Sequence, residues 1–483
     1  MMVYRGSLQD VYIEEGRSAV FVRDQVIVLS EIATAILEAT PAIGSVSLTE
    51  ITRKVVDTYG DPEPPLDATD VTHEHVLELV AHEVLRVDSA AQPQPFTPDS
   101  VEALRGALRH LLSHDTKRWQ LPRGVTGSQL VSAAERHRVV PTLTNGLDRL
   151  LLPAHERARL GAITAQEAAT VAVMGAELAE LVDALERAGV RVLAFKGLAL
   201  AVQAHGDVAA RGTGDHDLLV SPSELERAYD ILQSLGWKAT GGFPRPSDSW
   251  AWSYFVRTYY ELSLARRGHM IDLHWHVGPV RAAFPSFDEL WERHQRVRIH
   301  DKDIPTLSPY DALAHSASHS AKDHWRWLRG LLDVWLLMQD DATWRAADRP
   351  LRHDQLLSLG LAARLFGVPV GVPSVVHDAE RLVTTASDAA LVWQARPAQI
   401  DVTSRIPGVG LLRAAGSLRR AGASEGDLRR QVWLSVVPPT STTDITTRSA
   451  CVAIPRVLGR RTKEVLTLWR RAALERLRNG PSV

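Results

Sequence analysis

Cysteine is nearly missing from this chain of 483 residues. Cys451 stands alone, which excludes an internal disulfide framework and any zinc site built from several thiolates. An excess of one charge is also missing. The 55 Lys and Arg residues face 57 Asp and Glu residues, for a formal net charge of −2, so a nucleic-acid or membrane binder held by long-range charge is not expected. No apolar run reaches roughly 18 residues, and no basic stretch followed by an apolar core opens the chain. The expectation is a cytoplasmic protein that is neither secreted nor membrane-spanning. There is no internal repeat, and no His-Glu-x-x-His signature of the commonest helical zinc hydrolases. What is present is a globular composition, 45% hydrophobic and 23% charged. The length exceeds one ordinary core, so two or three domains are expected. The 13 Trp residues are expected to pack in cores.

The pattern along the chain reads as α+β. Residues 1–88 alternate as short strands at Leu8–Ile13, Ser18–Val22 and Val26–Leu29, the last two joined by a turn at Asp24-Gln25. Three helices follow: Glu31–Ala39 behind an N-cap Ser30, a second from the Ser47–Glu50 capping box to about Tyr59, and a third from about Thr72 to Glu83. Val84–Val87 is extended. The order is a β3α3, winged-helix-like domain. Residues 89–100 are a Pro-rich linker. Residues 101–190 are helical, with 3.6-residue periodicity from Ala165 to Arg187, residues 191–308 are mixed α/β, and residues 309–483 are mostly helical. Near the end lie a polar loop, Pro438–Thr447, and a basic amphipathic helix, Arg456–Arg478, expected to pack its apolar side and leave its charges solvated.

The chemistry concentrates in Arg211-Gly-Thr-Gly-Asp215-His-Asp217-Leu-Leu-Val220. A strand repeats every two residues, so Asp215 and Asp217 share one face, and the apolar tail anchors that strand in a core. Two such carboxylates make a hard-oxygen site suited to Mg²⁺. Upstream, the apolar strand Val192–Phe195 meets Lys196-Gly197 and turns helical, which aims backbone N–H groups at a phosphate with Lys196 beside them. Arg211 adds a second cation for phosphate. Downstream, Glu261–Ala265 and Met270–His276 read as a hairpin about Arg266–His269. Its second strand carries Asp272, which completes the acidic cluster as a metal ligand or orients the attacking group, with His274 and His276 on the same face. His315 and His319, four apart on one helix, are expected to pack that helix against the sheet in preference to joining a zinc site. Asp333 is expected to be a structural partner of an arginine.

At these residues the chain resembles the nucleotidyltransferase superfamily in its Gly…Asp-x-Asp…Asp form. More narrowly it is similar to an uncharacterised nucleotidyltransferase-like family with a Lys-Gly start, an Arg-x-x-x-Asp-x-Asp-Leu-Leu-Val strand and a Leu-His-Trp strand. The likeness covers roughly residues 101–480 and continues through Ala-x-x-His-x-x-x-His to the Leu-Leu-Asp333 segment. It departs from the superfamily's Gly-Ser turn, because Leu198 follows Gly197. The resemblance implies a central mixed sheet, Mg²⁺ or Mn²⁺ held by Asp215, Asp217 and Asp272, and an NTP, ATP by default, contacted by Lys196, Gly197, Arg211 and His274.

Residues 8–88 resemble the PqqD-like domain, carried by Phe21-Val22, Val26–Leu29, Ala33, Ile36-Leu37 and the Ile51–Gly60 and Val76–Leu85 segments. That likeness implies recognition of a leader peptide added as a strand to the sheet edge, and hence a role in natural-product biosynthesis on a ribosomally made precursor. Taken together, the expected reaction is transfer of an NMP to that precursor. The alternatives are transfer to a small antibiotic-type acceptor and non-catalytic binding of peptide or nucleotide.

Overall fold

The computed structural model describes residues 2–6, 8–14, 16–22, 25–42, 44–62, 67–87, 94–113, 115–240, 242–246, 249–383, 394, 425–436, 454–456 and 458–459. Asp24, residues 89–93 of the Pro-rich linker, the loop Pro438–Thr447, Cys451 and nearly all of the basic segment Arg456–Arg478 lie outside them. The chain divides into two units, Met1–Gln94 and Pro95–Val483.

Among its described residues the first unit has six strands, where three and the extended Val84–Val87 were expected. They are β1 (Met2–Arg5), β2 (Asp10–Glu14), β3 (Arg17–Val22), β4 (Gln25–Leu29), β5 (Ser45–Ser47) and β6 (Leu85–Val87), with helices α1 (Glu31–Ala39), α2 (Leu48–Tyr59) and α3 (Ala68–Ala81). β2, β3 and β4 form an antiparallel sheet, and β1 lies between β5 and β6 in a second. β1 escapes a local reading because both its partners are distant in sequence. Ser30 and Ser47 cap α1 and α2 as the pattern predicts. α3 begins earlier than expected, since the Asp67 carboxylate accepts from the N–H groups of Thr69 and Asp70. The alternation of β3 buries Val20 and Val22 on Ile36, Leu37, Ile51 and Leu79.

The second unit begins with α4 (Pro98–Leu112), the short β7 (Trp119–Gln120), α5 (Gly127–His137), α6 (Val140–Asn145), β8 (Leu150–Leu151) and α7 (Ala154–Arg187), which starts a full three turns before the periodic stretch suggested. The sheet that follows is built from β9 (Val192–Phe195), β10 (Asp215–Val220), β11 (Lys238–Ala239), β12 (Glu261–Arg266) and β13 (His269–His274), in the order β11-β12-β13-β10-β9. Between them run α8 (Gly197–Leu200), α9 (Leu225–Ser234) and α10 (Ser249–Thr258). Within this sheet, among the described residues, only β10 and β13 pair in parallel. After the sheet come α11 (Phe287–Glu292), the hairpin β14 (Gln295–Ile299) and β15 (Lys302–Thr306), and helices α12 (Pro309–Lys322), α13 (Leu328–Gln339), α14 (Asp341–Arg345), α15 (His353–Phe366), α16 (Ser374–Leu382) and α17 (Glu425–Val436). Among the described residues no helix is long and apolar enough to cross a membrane.

β10 is buried on both faces, and its residues divide between two cores. Leu218 and Val220 join Leu178, Val182 and Leu232 of α7 and α9. Leu219 joins Leu193, Phe195, Leu313 and Leu332 on the side of α12 and α13. Each fully buried leucine on either side contributes about 1.5–3 kcal/mol. By the same alternation Asp215, Asp217, Asp272 and His274 face the α12–α13 side. His216 faces the other way, with Glu177 of α7 3.0 Å away. Glu177 also accepts from Arg266 and His269. Burial works against ionisation of Glu177, but these hydrogen bonds outweigh it and hold the pKa at about 2. Three residues of the sheet are thereby tied to one helix.

His137 at the end of α5 is 1% exposed and accepts from the Leu328 N–H at 3.4 Å. Burial first, then Arg136 and Arg105, push it down to about 3. The unfolded chain takes up a proton below its ordinary value of 6.5, and the folded chain refuses one until about 3. Stability therefore falls as the pH drops through that window, by up to about 1.4 kcal/mol per pH unit. Urea-unfolding midpoints measured between about pH 6.5 and 5 should fall in the parent and fall less steeply in His137→Gln. Equal slopes in the two proteins would contradict this assignment.

Candidate active site

The site starts where β9 ends. Val192–Phe195 is buried throughout, and the chain then reverses at Lys196 and Gly197, with φ of 58° and 37°. A Cβ on Gly197 would lie 3.1 Å from Thr213 Oγ1 and 3.3 Å from the Asp215 carbonyl oxygen. The close approach and the left-handed backbone together require glycine. Leu198, in place of a hydroxyl residue, is 2% exposed and packs into the core.

Cross-strand register assembles the polar groups. Asp217 lies opposite Asp272 on one side and opposite Phe195 on the other. Lys196 Nζ donates to Asp217 Oδ1 at 2.6 Å, and His274 Nε2 lies 3.1 Å from the same oxygen. Nδ1 of His274 is 3.4 Å from Glu261. Ser263 Oγ donates to Asp272 Oδ1 at 2.6 Å. Burial would raise the pKa of Asp217, but Lys196 and His274 outweigh it and hold the carboxyl far below the usual range. Burial likewise opposes the charge on Lys196, and Asp217, Glu261 and Asp215 together raise its pKa. Asp215 is pushed up by burial and then by the charges of Asp217 and Asp272.

Of these, Lys196, Asp215, Asp217, Glu261 and Asp272 line one cavity of about 310 Å³. Its far wall is α12, α13 and the segment between them. His315 is buried edge-on to Phe195 at 5.2 Å and is kept neutral by burial and by Lys196. His319, 3.6 Å from Asp323, is lowered to about 4, chiefly by burial. Both histidines line the cavity. His276 does not, contrary to the expected shared face. β13 ends at His274, Trp275 N–H donates to the Tyr260 carbonyl, and His276 sits in a separate small pocket near Arg281. Burial and the charges of Arg281 and Arg430 bring it to about 4.

Arg211 lines the cavity, but its guanidinium is largely spent. Nε donates to Asp333 Oδ2 at 2.9 Å and Nη1 to the Gly197 carbonyl at 3.3 Å. His205 Nε2 completes the Asp333 cluster at 2.9 Å. Asp333 is thus the arginine partner expected of it, and it ties the Gly197 turn to α13.

Among the described residues, the set whose ligand atoms lie within 4.8 Å of one another is Asp217, Asp272 and His274. Asp215 faces the same cavity beside them. Sequence reasoning missed Glu261, although the hairpin register places it directly across from His274. It also missed Arg138, Lys322, Trp327 and Arg329, which reach the cavity from helix ends with no motif to mark them.

A family described as uncharacterised nucleotidyltransferase matches residues 125–367, from α5 to the end of α15. Among solved structures, an antigenic nucleotidyltransferase-like protein from Paracoccidioides brasiliensis aligns at 13% identity over 42% of this chain and 96% of its own, with a TM-score of 0.28. No curated protein matches the chain.

Proposed function

The chain belongs to this uncharacterised nucleotidyltransferase family, and from that premise we propose that it moves an NMP from an NTP, ATP by default, to an acceptor at Asp215, Asp217 and Asp272. That it is a nucleotidyltransferase follows from the family; the residues, the metal and the acceptor are the proposal. The observation that carries it is the convergence of Asp217, Asp272 and His274 within 4.8 Å at the cavity.

The donor set fits a hard divalent cation. Asp215, Asp217, Asp272 and Glu261 face the cavity against Lys196 as the nearest cation, and carboxylate oxygens with an imidazole suit Mg²⁺ or Mn²⁺. The pKa of Asp215 is raised first by burial and then by the negative charges of Asp217 and Asp272. When bound there by Asp215, Asp217 and Asp272, the ion supplies neutralisation of phosphate charge. Lys196 and His274 keep Asp217 ionised and oriented. Ser263 fixes the rotamer of Asp272. Asp272, hydrogen-bonded by Ser263, either completes the ion's shell or orients and deprotonates the attacking hydroxyl. Gly197 lets the backbone come close to the donor, and Arg211 holds that turn in place through Asp333.

For the acceptor we propose a ribosomally made precursor peptide, with the first unit acting as a PqqD-like recognition domain in the cytoplasm. In support, β4 is an edge strand and presents Val26 and Val28 at 67% and 74% exposure. A peptide strand added to that edge would gain backbone hydrogen bonds and cover both valines.

The test is incubation with each α-³²P NTP, Mg²⁺ or Mn²⁺ and an extract of the source cells. Label should appear on a peptide, vanish with EDTA, return when either metal is restored in excess, and drop in Val28→Glu. Label on a small molecule that is indifferent to Val28→Glu would move the acceptor to the antibiotic-type class. Nucleotide binding without transfer under any metal would leave a binding protein.

A further inference from the structure

The groups the turn offers for phosphate are mostly engaged elsewhere. Lys196 is bonded to Asp217, Arg211 to Asp333 and the Gly197 carbonyl, and Leu198 is in the core. A second set of cations is not so engaged. Arg138 ends α5 in a left-handed conformation, φ 56° and ψ 45°, and its side chain lines the cavity together with Lys322, Trp327 and Arg329. Around the Trp327 ring the guanidinium carbons of Arg136, Arg326 and Arg138 stand at 4.3, 5.2 and 5.5 Å from the centroid.

Among the described residues none of these three arginines, nor Lys322 nor Arg329, is in an ion pair. Nearby carboxylates are committed or distant. Glu135 pairs with Arg159 at 2.7 Å, Asp323 faces His319, and Glu167 feels the charges of Arg329 and Arg138 without an ion pair to either. Arg329 donates to the Gly212 carbonyl at 2.6 Å, which anchors this wall to the loop that leads into Asp215. Packing like charges around one ring is unfavourable without a ligand. The backbone is strained there too, with positive φ at Arg138, His324 and Trp325.

We propose that Arg138, Arg329, Lys322 and the Trp327 ring, which line the cavity, form the seat for the polyphosphate tail of the NTP and for the pyrophosphate that leaves, while Arg136 and Arg326, which do not line it, pack on Trp327 and add their charge to that seat. This rests on the nucleotidyl-transfer reading of the same cavity. Planar guanidiniums pair with phosphate through two parallel hydrogen bonds, and stacking on indole holds their forks in register. The cavity is then bipolar, with carboxylates at the end where the transferred phosphorus reacts and arginines at the end that carries the leaving group.

The probe is inorganic tripolyphosphate, titrated calorimetrically into the metal-free protein. The parent should bind it. Arg138→Gln should weaken it roughly 10- to 100-fold, and so should Arg326→Gln, which lies on an exposed loop outside the core. Asp217→Asn should bind it as well as the parent does. In turnover, Arg138→Gln should raise KM for the NTP and leave KM for the acceptor alone. Parent-like tripolyphosphate binding in both arginine variants would overturn the seat, as would no binding in the parent or a rise confined to the acceptor's KM. Tripolyphosphate binding lost in the arginine variants, from a parent that transfers no nucleotide, would keep the seat and refute the reaction.

Discussion

Replacing Asp217 with Asn is expected to lower nucleotidyl transfer by about 10³-fold, the upper range for losing one preorganised charge, while the protein stays folded. Asp217 is 5% exposed and meets Lys196 and His274 through one oxygen. The amide keeps the side chain's shape but removes the negative charge that a divalent ion and the two neighbours share. Lys196 does not become an orphan, because Glu261 and Asp215 also bear on it. The check is initial-rate transfer of α-³²P label beside a thermal melt. A folded variant with full activity would sink the proposed mechanism. A variant that melts far below the parent would have to be replaced by Asp272→Asn, whose half-buried carboxylate accepts from Ser263.

Asp333→Ala is expected to destabilise the second unit by about 3–5 kcal/mol. Burial alone would raise the Asp333 pKa, and Arg211 and His205 more than reverse that. Removing the carboxylate strands the guanidinium of Arg211, itself 8% exposed, in a site that, among the described residues, leaves it the Gly197 carbonyl. Urea unfolding followed by tryptophan fluorescence measures the loss. The double variant Arg211→Met with Asp333→Leu should recover more than half of it, since replacing a whole buried pair is far milder than breaking one. If the single variant unfolds at the parental midpoint, the pair is not a structural tie.

Much of the candidate site was legible because it is governed by short-range rules. Period two put Asp215 and Asp217 on one face. The break in an apolar strand at Gly197 marked the turn, and the hairpin about Arg266–His269 fixed the register that sets Ser263 against Asp272. The first two helices of the first unit were legible through their caps at Ser30 and Ser47. What was not legible depends on chain segments far apart in sequence. β1 is a strand only because β5 and β6 flank it. Nothing local shows that α13 delivers Asp333 to Arg211. His276 was carried onto the wrong face by extending the alternation two residues beyond the strand's end at His274. The arginines around Trp327 come from α5 and from the segment before α13, and no spacing rule connects them.

The parallel pairing of β10 with β13 also bears on how the enzyme comes into being. A parallel pair cannot close through a tight turn, so the chain must complete α9, β11, α10 and the whole β12–β13 hairpin before Asp272 reaches Asp217. Contacts of such long loop length form late in folding. Two carboxylates that repel one another are therefore brought together by a framework already built around them. A chain in which β10 and β13 have not paired has each acid but not the proposed pair.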